Sequence, residues 1–182
     1  MMEMIELFRE NQNTLKELSK DTSKGEAQYM TESELLAVDF DRVKRLYANG
    51  LDLSEETATS CDGLMLVPTR PVFIEFKNGK VRTADVKTKI RDSLLLYCDL
   101  MEQTISDTRQ EMEFILVYNE KENQGQVKHS QREIKNYLAK KSGTEHILFD
   151  LERFQTLYFR AVHTYSPSQF ETFLQNVKPK ET

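Results

Sequence analysis

Asp62, Glu75 and Lys77 put two carboxylates and an ammonium group into the most strand-like part of this 182-residue chain. They lie in SCDGLMLVPTRPVFIEFKNGK, Ser60 to Lys80, where two apolar runs flank a Pro-bounded turn. Side chains alternate between the two faces of a strand, so pairing register decides whether the three charges meet. A loop of two or four residues centred on Thr69 and Arg70 pairs Val67 with Val72, Met65 with Ile74, Gly63 with Phe76 and Asp62 with Lys77. Asp62, Glu75 and Lys77 then share one face with Leu64, Leu66 and Phe73, and Glu75 is the diagonal neighbour of Asp62. The opposite face holds Cys61, Gly63, Met65, Val67, Val72, Ile74 and Phe76, and is expected to be the one the following helix covers.

Two carboxylates a few ångströms apart repel unless a cation lies between them, and hard oxygen ligands suit Mg²⁺ or Mn²⁺. Such an ion polarises a phosphoryl oxygen and lowers the pKa of a bound water. The backbone carbonyl of Phe76 is a natural further ligand. Lys77, two residues past Glu75 and on the same face, is placed to orient that water or to stabilise developing negative charge. These are the parts of a metal-dependent phosphodiesterase. The plainer alternative is a cross-strand ion pair in which Lys77 neutralises Asp62.

The elements that must hold these residues are legible as patterns. Residues 3 to 19 carry a helical stripe of Met4, Ile5, Phe8, Leu15 and Leu18 with a polar gap at Gln12, followed by a polar linker, DTSKGEAQ. Thr31 with Glu34 reads as a capping box for a helix with Leu36, Phe40, Val43 and Tyr47 inward, ending at Gly50. Strands are expected over Ala58 to Val67 and Val72 to Lys77, then a helix from Thr83 to about Gln103 with Val86, Ile90, Leu94, Tyr97 and Met101 on one face. EFILVY, Glu113 to Tyr118, reads as a buried strand, and strand–helix–strand order implies a parallel crossover. Ser130 with Glu133 opens another helix to about Lys141, closed by Gly143. Ile147 to Phe154 is open between strand and helix, Thr156 to Thr164 reads as a strand, and Ser166-Pro167-Ser168-Gln169 caps a last helix. The expectation is one α/β domain: a mixed sheet with an antiparallel hairpin and a parallel crossover strand, flanked by helices. Residues 1–28 form its N-terminal helix and linker, 29–120 its core, and 121–182 a helix–strand–helix extension.

An acid on one strand, a hairpin, Ile74-Glu75-Phe76-Lys77 on the next, then a helix and another strand resemble the PD-(D/E)XK nuclease superfamily. The resemblance covers about Ala58 to Tyr118, a third of the chain. It implies a restriction-endonuclease-like core and a nuclease with Asp62 and Glu75 as metal-holding acids and Lys77 as the catalytic lysine. Cys61 stands where the motif's name has a proline, and the strand such folds place before the hairpin is not visible in LDLSEETA. Members often take another acid from the first helix, a role open to Glu34 or Glu32, with Glu34 favoured as a plain capping residue.

Net charge −5 argues against a broad basic surface for nucleic acid. KNGKVRTADVKTKIR reverses the balance locally: Lys77, Lys80, Arg82, Lys87, Lys89 and Arg91 stand against Asp85 alone. Such a run is usually a solvated helix face; following the charged strand, it is also the candidate nucleic-acid contact. Lys89 and Asp92, three apart, are expected to pair on the surface. Cys61 and Cys98 read as buried thiols, without CxxC spacing. His129, His146 and His163 lack metal-ligand spacing. Tyr158, Phe159 and Tyr165 are expected in the core rather than stacked on bases. No apolar run suits a membrane span and no leader is visible, so a cytoplasmic protein is expected. The leading expectation is Mg²⁺- or Mn²⁺-dependent hydrolysis of nucleic acid, DNA favoured over RNA. The alternative is a non-catalytic protein-interaction or accessory module on the same fold. A homodimer and a protein partner both fit the sequence.

Overall fold

The computed structural model describes residues 2–23, 25–67, 70–127 and 146–177, with side chains from residue 6 onward. Six strands form one mixed sheet in chain order: β1 (Gln12–Thr14), β2 (Leu36–Asp39), β3 (Gly63–Val67), β4 (Arg70–Lys77), β5 (Glu113–Tyr118) and β6 (Ala161–Tyr165). The first four form an antiparallel run among themselves; β5 is parallel to β4, and β6 to β5. The helices are α1 (Met2–Glu10), α2 (Leu15–Leu18), α3 (Phe40–Gly50), α4 (Thr83–Leu100), α5 (Ile105–Glu111), α6 (Phe154–Leu157) and α7 (Pro167–Val177). No helix among the described residues is long and apolar enough to cross a membrane.

Each face of the sheet has its own core. On one, Leu64, Phe73, Phe114 and Leu116 meet Val86, Ile90, Leu94 and Tyr97 of α4 and Phe40 and Val43 of α3. Phe73 sits between Phe40 (ring centroids 4.9 Å) and Tyr97 (5.8 Å), both near edge-on, so the two helices are keyed to one strand. On the other, Met65, Val72, Ile74, Phe76, Ile115 and Val117 are covered by Leu15 of α2 and by Phe170 and Leu174 of α7. The expectation that α4 covers the small and apolar face is therefore corrected. It lies on the face that carries Glu75, because its apolar stripe fits Leu64 and Phe73.

The expected helix over residues 3 to 19 is broken at its polar gap. Asn11 Nδ2 donates to the Leu7 carbonyl (2.7 Å), Thr14 Oγ1 accepts from Glu17 N (3.2 Å), and β1 lies between them against β2. Short polar side chains offer the backbone such alternatives to helix. The capping box at Thr31 is not formed. Thr31 Oγ1 accepts from Ser33 N (3.1 Å) and donates to Glu171 of α7, Leu36–Asp39 is a strand, and Asp39 caps α3 by accepting from Arg42 N (2.9 Å). Pairing with β1 and β3 overrides the helical spacing of Leu36, which is exposed.

Further along, β5 has the expected bounds, and Ser166 N donates to Gln169 Oε1 (2.8 Å) in the expected cap of α7. The strand expected over 156–164 starts later, at Ala161, because α6 takes the earlier residues. Residues 147–153 are irregular, with Phe149 and Asp150 in the left-handed region (φ 62° and 54°). The helix expected from Ser130, with Gly143 and His129, lies outside the described residues. Cys61 is buried as expected, whereas Cys98 is only half-buried.

Candidate functional site

Glu75 is anchored at the centre of the sheet, with no exposed side-chain surface, because β4 is bonded on both edges. Asp62 reaches it differently. The strand expected from Ala58 begins only at Gly63, and the approach is tied to helices instead of to the ladder. Thr59 N and Oγ1 both donate to Asp92 (2.9 Å each), Cys61 N donates to Ser93 Oγ (2.7 Å), and Ser60 Oγ bonds Asp41 of α3. The expected surface pair of Lys89 with Asp92 is thus replaced, since Asp92 is taken by Thr59.

The hairpin register is shifted by two residues from expectation: Gly63 faces Ile74 and Val67 faces Arg70, with residues 68 and 69 outside the described set. A shift of two preserves face membership. Asp62, Glu75 and Lys77 still share a face, but Asp62 now stands directly across from Glu75.

Four charged groups meet there. Lys89 of α4 donates to Asp62 Oδ1 (3.1 Å) and Glu75 Oε2 (3.0 Å), with Glu75 Oε1 2.8 Å away. Lys77 Nζ is also 2.8 Å from Glu75 Oε1, so it neutralises Glu75 and not Asp62 as the cross-strand reading expected. The main-chain N–H of Phe76 donates to Asp62 Oδ2 at 2.6 Å. Glu75 Oε1 is buried and, despite both ammonium contacts, receives no directed hydrogen bond. Asp62, Lys77 and Lys89 keep 19%, 25% and 21% of their side-chain surface exposed, so the cluster opens to solvent on one side.

Burial and the charge of Glu75 push the Asp62 carboxyl up to about 7, against the pull of Lys89 and the Phe76 N–H. Burial lowers Lys89, but the charges of Glu75 and Asp62 outweigh it and hold the ammonium above its ordinary value. Burial, reinforced by Glu75, also raises the Cys61 thiol well above its usual range, so it is inert as a nucleophile.

Phe76 contributes through its backbone. Its N–H points to the Asp62 edge of β4, while the Lys77 carbonyl accepts from Asn119 N (3.0 Å) on the β5 edge. The N–H and C=O of one strand residue leave by the same edge, so the Phe76 carbonyl faces the Asp62 side. Two carboxylates and a carbonyl form an all-oxygen set that suits Mg²⁺ or Mn²⁺. The buried, undirected Glu75 Oε1 is the feature such an ion would satisfy. Among the described residues no group of three or more His, Cys, Asp or Glu side chains clusters as a metal site, so the carbonyl is needed in that set. Asp62, Phe76 and Lys77 also line a cleft of about 420 Å³, walled by residues 18–23 and Met30 and by Asn78 and Gly79.

The remaining candidates scatter. Lys80 is exposed on the turn before α4, and Arg82 pairs with Asp85 (3.2 Å). Lys87 bonds Asp150 and, with Arg91, lies over the Phe154 ring (6.0 and 5.7 Å). Lys89 alone of the helix cations turns into the cluster. Glu34 is exposed near Lys16, which pairs with Glu32 (2.7 Å); neither acid is among the groups that meet Asp62. His163 stands 3.8 Å from Glu113 and His146 is exposed. Phe159 is buried as expected, while Tyr158 and Tyr165 are half-buried.

Sequence reasoning placed Lys89 among the candidate nucleic-acid contacts and missed its position between Asp62 and Glu75. The signal was its place beside Ile90, three residues after Val86 and four before Ser93, on the inward edge of the α4 stripe. Comparison with family models, with curated proteins and with solved structures gave no match in any of the three.

Proposed function

We propose that this chain is a metal-dependent nuclease-like protein that hydrolyses phosphodiester bonds of nucleic acid on a restriction-endonuclease-like core. The observation that carries the reading is the convergence of Asp62, just ahead of β3, and Glu75 of β4 on a single cationic group. A strand ahead of the hairpin, β2, and parallel β5 after α4 and α5 support this reading of the elements around Glu75. The cluster also lies at the C-terminal end of β4, where α/β sheets with parallel strands commonly bind ligands.

In this reading Asp62, Glu75 and the Phe76 carbonyl hold Mg²⁺ or Mn²⁺, which supplies Lewis acidity toward a phosphoryl oxygen and an activated water. Lys77 orients the attacking water and stabilises negative charge at the phosphate. The cleft beside Asp62 and Lys77 takes the flanking nucleotide, and Lys80 and Arg82, exposed in the segment leading into α4, meet phosphates. The test is incubation of purified protein with single- and double-stranded DNA and with RNA in Mg²⁺ or Mn²⁺. Cleavage that disappears in Asp62→Asn, Glu75→Gln and Lys77→Ala supports the assignment; cleavage that survives all three removes it.

A second reading has its own observation. Lys77 and Lys89 already neutralise both carboxylates, as a non-catalytic interaction module with a structural ion cluster would require. That reading expects no divalent-ion binding that depends on Asp62 or Glu75.

A further inference from the structure

The cluster holds two carboxylates and two ammonium groups, whose formal charges cancel when both acids are ionised. A divalent ion added to it unchanged would leave two uncompensated positive charges in a largely buried site, which is costly. At least one ammonium must therefore leave as the ion enters. The two lysines are not equivalent. Lys77 touches Glu75 alone and extends from the same strand. Lys89 bridges both acids, at 3.1 Å from Asp62 and 2.8 and 3.0 Å from the two oxygens of Glu75, the position a shared ion would take.

We propose that Lys89 is a built-in stand-in for the metal: its ammonium holds the two acids together in the ion-free protein and is displaced when the divalent ion binds. This rests on the metal-dependent reading above and adds a residue that sets the affinity of the site. The side chain has room to move. It keeps a fifth of its surface exposed, and Asp85, one helical turn earlier at an i−4 spacing, is a half-exposed acid whose ion pair with Arg82 it can join. The helix therefore offers the displaced ammonium an anion near solvent, and leaves a cation at the mouth of the site where a phosphate would arrive.

The experiment is titration of the full-length chain with Mn²⁺ and with Mg²⁺, followed by calorimetry and by the shift in melting temperature. Lys89→Met keeps the apolar stem and removes the competitor, so it binds at least about tenfold more tightly than the wild type. Its melting temperature rises more on ion addition, and both effects vanish when Glu75→Gln is added. Lys89→Arg, which keeps the charge, shows no gain. A second measurement needs no substitution: in wild-type protein with isotope-labelled lysine, the Lys89 side-chain resonance shifts on Mg²⁺ addition while that of Lys44, which bonds the Glu55 carbonyl away from the cleft, stays put. Wild type and Lys89→Met binding the ion equally, with Glu75→Gln abolishing it, overturns the stand-in role and leaves the metal site intact. An unmoved Lys89 resonance at saturating Mg²⁺ does the same. Absence of ion binding by any of these proteins overturns the metal-dependent reading and this inference together.

Discussion

Two charged clusters are set into the same sheet, at opposite ends of β4 and on opposite faces, and they behave in opposite ways. At the start of β4, Arg70 Nε lies 2.9 Å from Glu113 Oε1, and His163 Nε2 lies 3.8 Å from Glu113 Oε2. Burial alone would raise Glu113, but His163 and Arg70 outweigh it and hold the carboxyl below its ordinary value. At the other end, Asp62 is held well above its ordinary value although Lys89 touches it, because burial and Glu75 both act against its charge. One carboxylate with Arg70 and His163 to itself is settled in its charged form. Two carboxylates that share ammonium groups are not, and a titratable group perturbed in this way beside a cleft marks a functional candidate. The first cluster serves the fold, and the second is kept at some expense to it.

The contrast is broken most severely in catalysis. In the cleavage assay, Glu75→Gln lowers the rate about a thousandfold or more, the several kcal/mol of charge stabilisation a lost metal ligand represents, while Glu113→Gln leaves the rate per folded molecule unchanged. Equal losses in both variants would show that the clusters do not differ as described.

Stability sharpens the comparison next, with opposite signs. Glu113→Gln leaves Arg70 without its counter-charge and costs about 2–3 kcal/mol in denaturant unfolding at pH 7. Asp62→Asn stabilises the ion-free chain by about 1–2 kcal/mol at pH 8 in the presence of a chelator. The sign follows from the raised carboxyl: between its unfolded value near 3.8 and its folded value of about 7, the native state binds the proton more readily. Asp62 therefore makes wild-type stability fall as pH rises through that window, and the advantage of Asp62→Asn closes again toward pH 4. A wild type that gains stability over the window relative to Asp62→Asn would reverse the assignment.

The smallest effect is at Lys80, on the exposed turn before α4. Lys80→Ala weakens nucleic-acid binding only a few-fold, lowers the slope of log affinity against log salt by about 1, and leaves the melting temperature unchanged.

What was legible in the sequence followed from local rules. The bounds of β5 came from an uninterrupted apolar run, the cap of α7 from Ser166 and Gln169, and the shared face of Asp62, Glu75 and Lys77 from strand alternation, which survives a register error of two. What was not legible depends on partners distant in the chain. Nothing in Gln12–Thr14 or Leu36–Asp39 favours a strand until the two lie against each other and against β3. The side of the sheet chosen by α4, and so the recruitment of Lys89, was set by the fit of its stripe to Leu64 and Phe73. Helix α5 lay within reach of local reasoning and was passed over, since its capping box uses Asp107 in the place more often taken by Glu or Gln.

The two acids are fastened to different parts of the molecule. Glu75 is fixed to the middle of the sheet, whereas the backbone before Asp62 hangs from α4 through Asp92 and Ser93, and Lys89 extends from that same helix. The seat of α4 on Phe73 therefore sets both the gap between the acids and the reach of Lys89, so one packing contact gauges the whole cluster.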